Sequence, residues 1–243
     1  MAPLLRKFRF ASLGSMVSKK YLAYAFGEIV LIVFGILIAL EINNWNNNRQ
    51  LKTLELKYLK EMISNLTADL SDIEYNIEFN IEKMKSNLAV STYTRNRLPY
   101  HDSLKFHLAN LFGSTRFVSN TSAYENFKSK GFEIIKNDSL RGLITELYSA
   151  FYTHITGFEF VDDHRYQYGI LMPLLMENTI VNEFWKSAEP INYDDLLNNV
   201  EFKNAITSNI FFREYMISQY NEQKSKVLKL IVAIENYLKE EGE

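Results

Sequence analysis

The side chains that could do acid–base or metal chemistry are few and lie far apart in the sequence. Cysteine is absent, which excludes cysteine nucleophiles and cysteine-based zinc or iron–sulfur sites. The densest polar cluster is Asp162-Asp163-His164, with Glu159 nearby. A metal site there needs ligands that converge from elsewhere, so we interpret the cluster as a solvated helix face. The other histidines are His101, His107 and His154.

The sequence contains none of the motifs that usually mark an active site. It has no glycine-rich phosphate loop, no nucleophile elbow and no H-x₃-H metal-ligand pair. Acidic pairs such as Asp194-Asp195 are typical of helix surfaces and helix N-termini. We therefore expect a protein that is not an enzyme, with no catalytic residues, no cofactor and no metal.

The charge is distributed unevenly along the chain. The first 20 residues contain no acid and carry a positive flank of Arg6, Lys7, Arg9, Lys19 and Lys20. Subtracting these five from 27 Lys+Arg leaves 22 basic residues against 29 acidic ones, a net charge of −7 for the rest. An acidic body disfavours nucleic-acid binding, whereas a short basic head suits a membrane surface. This head is either an amphipathic helix on the membrane or an unstructured tail.

One segment has the length and composition of a membrane span. Residues 21–40 read YLAYAFGEIVLIVFGILIAL, with Glu28 as the one ionisable side chain. At about 1.5 Å per residue they cover ~30 Å, the thickness of a bilayer core. Tyr21 and Tyr24 at one end and Trp45 beyond the other are typical interfacial anchors. We predict a transmembrane helix over 21–42, between a head (1–20) and an Asn-rich joint (43–48).

The charged flanks predict the orientation of this span. Basic residues precede it, and the first positive charge after it is Arg49, so the N-terminus is expected in the cytoplasm and residues 49–243 in the periplasm. A cleaved signal peptide is the competing interpretation, although no A-x-A-like site follows Leu40. A buried core helix is a further alternative.

Small residues line one face of the predicted span, at four-residue steps with Leu31 among them: Ala23, Gly27, Gly35 and Ala39. Such spacing allows two helices to approach closely, although Gly and Ala are common in spans in any case. Three interpretations of the intramembrane Glu28 stay open. It hydrogen-bonds across an oligomer interface, it lines a polar pathway, or it snorkels to the inner interface.

The rest of the chain has a helical pattern. With 9 Gly and 4 Pro in 243 residues, an all-β fold is largely excluded. From Leu51 to Leu88 apolar residues recur in ten steps over 37 residues, about 3.7 per step, which predicts a nearly straight helix in a bundle. Further helices are expected at 101–112, at 121–131, from 137 towards 180 with breaks at Gly157 and Pro173, and at 200–240. The last is long enough to lie antiparallel against the helix of residues 50–90. We predict an all-α protein, with one N-terminal transmembrane helix that continues into a long helix, plus an extracytoplasmic helical bundle.

Several stretches of sequence are similar to a known family. Residues 27–50, GEIVLIVFGILIALEINNWNNNRQ, resemble the N-terminal signature of a domain-of-unknown-function family of small single-span membrane proteins common in Bacteroidota. Glu41 and Asn47 stand where that signature usually has Gln and Glu. Residues 58–80, 123–148 and 196–206 are also similar. The resemblance implies a Gram-negative inner-membrane protein with a periplasmic helical domain, and it implies no activity.

Three functional hypotheses follow from the sequence. The first is a non-enzymatic inner-membrane protein that self-associates, or binds another membrane protein, through its span and presents a periplasmic bundle for partner binding or sensing. The second is an oligomeric ion-conducting or mechanosensitive pore with a ring of Glu28 side chains. The third is a periplasmic sensor of a small ligand, which requires a pocket inside the bundle.

Overall fold

The computed structural model describes residues 19–241, with side chains described from Tyr24 onward. It divides into two compact units, one ending at Leu54 and one beginning at Glu55. Part of the predicted positive flank and of the predicted span therefore cannot be compared with the structure. Arg6, Lys7 and Arg9 lie outside the described residues, as do the side chains of Lys19, Lys20, Tyr21 and Ala23.

The described chain is almost entirely helical, as the sequence predicts. The α-helices are α1 Lys19–Arg95, α2 Leu104–Ala109, α3 Ser122–Lys130, α4 Asp138–Glu146, α5 Tyr152–Phe158, α6 His164–Tyr166, α7 Met172–Asn178, α8 Tyr193–Asn198 and α9 Val200–Glu240. A 3₁₀ turn spans Phe132–Ile134, and π-helical turns span Leu147–Phe151, Glu159–Asp163 and Gln167–Leu171. Two short strands, β1 Thr179–Glu183 and β2 Ser187–Pro190, pair antiparallel in a hairpin that the sequence analysis did not predict.

The described part of the apolar segment of α1 is largely exposed, with Ala25 and Val30 half-buried. From Leu31 to Leu40 each side chain is exposed, and none of the most apolar 18-residue window is buried. The alternative interpretation as a buried core helix is therefore wrong. By length and composition, this helix could cross a membrane. It continues through residues 43–48, so the Asn-rich sequence does not interrupt it.

In the second unit, α1 and α9 run antiparallel, as the sequence suggests. Glu55 accepts a hydrogen bond from Tyr237 at 2.8 Å, and Arg95, at the other end of α1, donates to Thr207 at 2.8 Å. The hydrogen-bonded pairs between these two ends also follow the antiparallel direction. Each helix presents one long row of buried side chains to the core.

The buried row of α1 has a shorter period than the apolar pattern predicts. Eleven steps cover the 39 residues from Glu55 to Thr94, about 3.5 per step, and Leu51 and Leu88 at the ends of the predicted stripe are exposed. The row is Glu55, Leu59, Met62, Leu66, Asp69, Ile73, Asn76, Asn80, Lys83, Asn87, Val90 and Thr94. The apolar pattern failed because polar side chains occupy seven of these twelve positions. On α9 ten steps from Phe202 to Tyr237 give the same spacing.

The helical run of residues 138–178 packs against both long helices and contains the three π turns. Its buried positions from Ile155 to Leu175 recur every four residues. In a regular α-helix a four-residue step overshoots one turn by about 40°, so such a row would wind away from the core. The wider π turns reduce this drift. Gly157 and Pro173 do not break the run, contrary to the prediction, and Pro173 lies in the first turn of α7.

Two apolar clusters form the core of this unit. One gathers the α1 residues from Leu59 to Ile73 with α3, α4, α5 and the C-terminal half of α9. The other gathers the end of α1 with α2, α7, β2, α8 and the start of α9.

The strap, residues 111–121, has no helix or strand structure. Asparagines cap three helices, with Asn137 accepting from the Leu140 N–H at 3.0 Å as the predicted helix start requires.

Gln223 provides a test of the polar positions in the α9 row. Its side chain is 1% exposed, and neither its amide nitrogen nor its oxygen has a hydrogen-bond partner among the described residues. We expect Gln223→Leu to raise the free energy of unfolding by about 1–3 kcal/mol, because it removes an unsatisfied buried amide. Urea unfolding of the full chain in mild detergent measures this.

Gln167→Leu is the matched control. The Gln167 amide is equally buried, but it accepts from the Gly113 N–H at 3.2 Å and donates to Asn209 at 2.7 Å. The same change should therefore destabilise the protein there. A loss of stability in Gln223→Leu as large as that in Gln167→Leu would contradict the assignment of Gln223 as an unsatisfied buried amide.

Candidate functional site

A layer of polar side chains crosses the core of the second unit. Three elements contribute to it: α1, the helical run 138–178 and α9. All six side chains are at most 1% exposed. We call this set the polar layer, and its members are Asn80, Asn87, Asp163, Gln167, Asn209 and Arg213.

Arg213 is the centre of the polar layer. Its guanidinium donates to Asn80 Oδ1 at 2.6 Å and to Asn209 Oδ1 at 3.4 Å, and it forms a salt bridge with Asp163. Burial raises the pKa of Asp163, and the facing guanidinium opposes that rise. A charge this deep is tolerated only when it is paired and hydrogen-bonded, and each of these partners comes from a different element or turn.

Side-chain amides extend the layer away from Arg213. Gln167 donates to Asp163 Oδ1 at 3.1 Å and to Asn209 Oδ1 at 2.7 Å. Asn209 in turn donates to Asn87 Oδ1 at 3.0 Å. Asn87 and Asn209 both donate to the carbonyl of Leu111 at 2.9 Å. The layer therefore ends on the backbone of the strap.

Most of the hydrogen bonds of the strap backbone are made with side chains, and its N–H groups donate to side-chain oxygens. The Gly113 N–H donates to Gln167, and the Asn120 N–H donates to Asp69 Oδ1 at 2.7 Å. The Val118 N–H donates to Asp72 at 3.0 Å. An extended segment inside a helical domain has no neighbouring strand, so these carboxylates and amides supply the acceptors that a sheet would supply.

The carboxylate of Glu159 is the third that holds the strap, after those of Asp69 and Asp72. Both of its oxygens accept from the Phe117 N–H at 3.1 Å, and one also accepts from the Tyr220 hydroxyl. Burial raises the pKa of Glu159 to about 7, and the charges of Asp72 and Asp163 add to the rise. The hydrogen bonds from Tyr220 and Phe117 oppose it.

The interpretation of the acidic cluster as a solvated helix face is wrong for two of its residues. Glu159 is 2% and Asp163 1% exposed, because π turns direct them into the core, whereas Asp162 faces solvent. His164 is half-buried beside the Tyr168 ring, 4.6 Å away. Across residues 24–241 no group of three His, Cys, Asp or Glu side chains could hold a metal ion.

Two signals in the sequence point to the polar layer, and the apolar pattern alone misses both. Asn76, Asn80 and Asn87 continue the spacing of Leu66 and Ile73, so they fall in the buried row. Along the acidic cluster, Glu159, Asp163 and Gln167 stand at constant four-residue steps. Chemically, the layer can hold the strap, because its side chains bond to the Leu111 carbonyl and the Gly113 N–H.

The predicted span residues lie in the other unit, and those whose side chains are described are exposed. Gly27, Gly35, Ala39 and Glu28 are all exposed along α1. At the end of the apolar segment Trp45 is 63% exposed, and the Arg49 guanidinium lies 6.0 Å from its ring centre. Tyr24, the anchor at the opposite end, is also exposed. The three interpretations of Glu28 therefore remain predictions.

A family model described as a family of unknown function (DUF6090) matches residues 28–215, more than half of the chain. The chain belongs to the DUF6090 family. No curated protein and no solved structure matches it. The DUF6090 region contains Glu28, Gly35 and the complete polar layer, and it ends before Tyr220. The strap and the side chains that hold it are thus largely inside the region that defines the family.

The raised pKa of Glu159 predicts a pH-dependent stability. The folded carboxyl, with a pKa of about 7 against an ordinary 4.5, binds its proton more tightly than the unfolded one. The stability that the protonated Glu159 carboxyl contributes to the folded state is complete below pH 4.5. It falls as the pH rises to about 7 and is lost above that pH. The fall should be on the order of 3 kcal/mol, from about 1.4 kcal/mol per pKa unit. Glu159→Gln should remove it, measured by urea unfolding between pH 5 and 8.

Glu177→Gln is the control, because Glu177 is an exposed carboxyl and the substitution changes the net charge equally. This variant should keep the wild-type pH dependence. If Glu159→Gln and the wild type lose the same stability between pH 5 and 8, Glu159 is not the titrating group.

Proposed function

We propose that this protein is a non-enzymatic membrane protein that self-associates through α1 and presents its second unit for partner binding or sensing. The observation that carries the proposal is the uncovered apolar segment of α1. Leu31–Leu40 is exposed on all sides of the helix, and water would solvate such a surface poorly. A lipid bilayer is the first partner that this surface fits.

The small residues of the segment support self-association. Apart from the neighbouring residues and the local helix backbone, no described atom lies within 4 Å of the position that a Cβ would occupy at Gly27 or Gly35. Such a flat face lets a second helix approach closely, and packing is the main attraction between helices in lipid. A second copy of the chain is the partner that we favour, with another membrane protein as the alternative.

The charge flanks support the orientation and the compartment. The five basic residues before the span favour a cytoplasmic N-terminus, and the lack of Lys or Arg between the span and Arg49 favours residues 49–243 outside it. The family resemblance favours the inner membrane of a Gram-negative bacterium, with the second unit in the periplasm. The closed polar layer supports a role without catalysis, since its hydrogen bonds are directed to the protein's own strap.

The small-residue face gives the proposal its main test. We expect the full-length protein in mild detergent to be an oligomer by native mass spectrometry, and Gly27→Leu with Gly35→Leu to convert it to monomer. Two leucines there would keep the helix backbones apart. The shift from oligomer to monomer is the quantity measured.

Ala25→Leu with Val33→Leu is the matched control. Both positions point more than about 100° away from the centre of the Gly27–Gly35 face, so they add bulk without touching it. This variant should remain oligomeric. A monomeric wild type, or equal dissociation of both double variants, would contradict self-association through this face.

The absence of cysteine allows a direct test of topology. In Ser129→Cys, which lies on the exposed end of α3, a membrane-impermeant maleimide should label intact cells after permeabilisation of the outer membrane. In Ser12→Cys, labelling should require lysis. Gel-shift detection measures both. Protection of the Ser129→Cys protein would reverse the orientation, and loss of the Ser12→Cys label after lysis would indicate a cleaved signal peptide.

A further inference from the structure

The outer side of the helical run 138–178 carries a row of exposed residues at four-residue spacing. This row is offset by two positions from the buried row that contains Asp163 and Gln167, so it lies on the side of the helix that faces away from the core. The π turns that keep the buried row against the core also keep the outer row along one line. Its members are Arg165, Gly169, Pro173 and Glu177.

Opposite charges stand at the two ends of this row. Within the described part of the chain, the side chains of Arg165 and Glu177 form no ion pair and no hydrogen bond. A second charge of the same sign accompanies each of them. The Arg116 guanidinium lies 5.0 Å from the ring centre of Phe160, which lines the same groove as Arg165, and Glu201 on α9 lines the same groove as Glu177.

Two open grooves flank the row and meet at Gly169. The groove at the basic end has an empty volume of about 780 Å³, and Phe160, Val161 and Tyr168 line it beside Arg165. The groove at the acidic end, of about 950 Å³, lies between the run and the start of α9. Apart from the neighbouring residues and the local helix backbone, no described atom lies within 4 Å of the position that a Cβ would occupy at Gly169. The centre of the row is therefore flat.

Apolar side chains are exposed on both sides of this flat centre. Phe160 is 62%, Val161 47% and Ile170 46% exposed. Water solvates a surface of this kind poorly, and an exposed apolar patch with a charged rim marks a contact surface. We call the row and these three side chains the outer face.

We propose that the outer face is a two-fold interface, at which two copies of the chain pair with their helical runs antiparallel. A symmetry axis at position 171 is the midpoint between Arg165 and Glu177 and also between Gly169 and Pro173. One axis therefore places Arg165 of each copy opposite Glu177 of the other, and Gly169 opposite Pro173. Because every contact of such an interface occurs twice, two ion pairs enclose an apolar centre.

The distribution of charge favours this occupant and this direction. The outer face is basic at one end and acidic at the other, so a copy of itself turned by 180° is complementary to it. A parallel pairing would bring like charges together. The contact goes beyond the proposed function, because it joins the second units of two chains and not their spans.

A zero-length cross-linker tests the pairing on the full-length protein in mild detergent. In Arg165→Lys, which keeps the charge, a carbodiimide should couple the amine introduced at position 165 to Glu177. These positions are twelve residues apart on one helical run, about 15 Å or more, so an amide between them joins two chains. We expect peptide mapping by mass spectrometry to find this link at least tenfold more often than links from Glu177 to Lys128, an exposed lysine on α3.

The flat centre provides a second variant and its control. Adding Gly169→Leu to Arg165→Lys should lower the yield of the link at least tenfold, because the new side chain would hold the two runs apart. Gly142→Leu in the same background is the matched control. Gly142 is also an exposed helical glycine with open space at its Cβ position, but it lies on α4, outside the outer face. This variant should keep the link.

A charge swap keeps the test decisive if Gly169→Leu folds poorly. Arg165→Glu with Glu177→Lys again places opposite charges across the axis, so the link between positions 165 and 177 should form as in Arg165→Lys. A yield no higher than that to Lys128 in both of these variants would overturn the proposal, as would equal yields with Gly169→Leu and Gly142→Leu. The oligomeric state of Gly27→Leu with Gly35→Leu tests the span separately, so either contact can fail without the other.

Discussion

Many buried polar residues of this domain follow from one constraint, namely that the backbone of the partly buried strap must find hydrogen-bond partners against a helical core. A buried N–H or C=O group without a partner costs about as much as a lost hydrogen bond. Helices satisfy their own backbone groups and have none to spare for a neighbour. The strap is therefore held by side chains, with Asp69, Asp72, Glu159 and Gln167 accepting from its N–H groups.

Arg213 is needed in turn because the strap is held by buried acids and amides. A carboxylate such as Asp163 in this layer needs a positive partner, because an unpaired buried charge is far more costly than a paired one. The pair adds little net stability compared with well-packed apolar residues, but removing one partner typically costs about 3–5 kcal/mol. The layer thus fixes how α1, the helical run 138–178 and α9 are aligned, because a shifted alignment would leave charges unpaired.

The sequence predicted the features that depend on composition and local pattern. The all-α class, the exposed apolar segment of α1, the start of a helix after Asn137 and the antiparallel α9 all appear in the structure. The polar layer was missed because its members look like surface residues when apolar spacing is the criterion. The π turns were missed for a related reason, since only tertiary packing decides whether a row such as Glu159 and Asp163 faces inward. The hairpin carries few apolar residues at strand spacing, and its pairing depends on contacts with α2.

Two further buried ionisable groups, Glu159 and Lys83, show how little isolated charge this core tolerates. Arg213 and Asp163 neutralise each other, and the interior then has little capacity for further isolated charge. Burial accordingly pushes the remaining groups towards their neutral forms, raising the pKa of Glu159 to about 7 and lowering that of Lys83 to about 8. These opposite shifts have a common cause in desolvation. Near neutral pH, therefore, the charge states of the buried Glu159 carboxyl and the buried Lys83 amine respond readily to their surroundings.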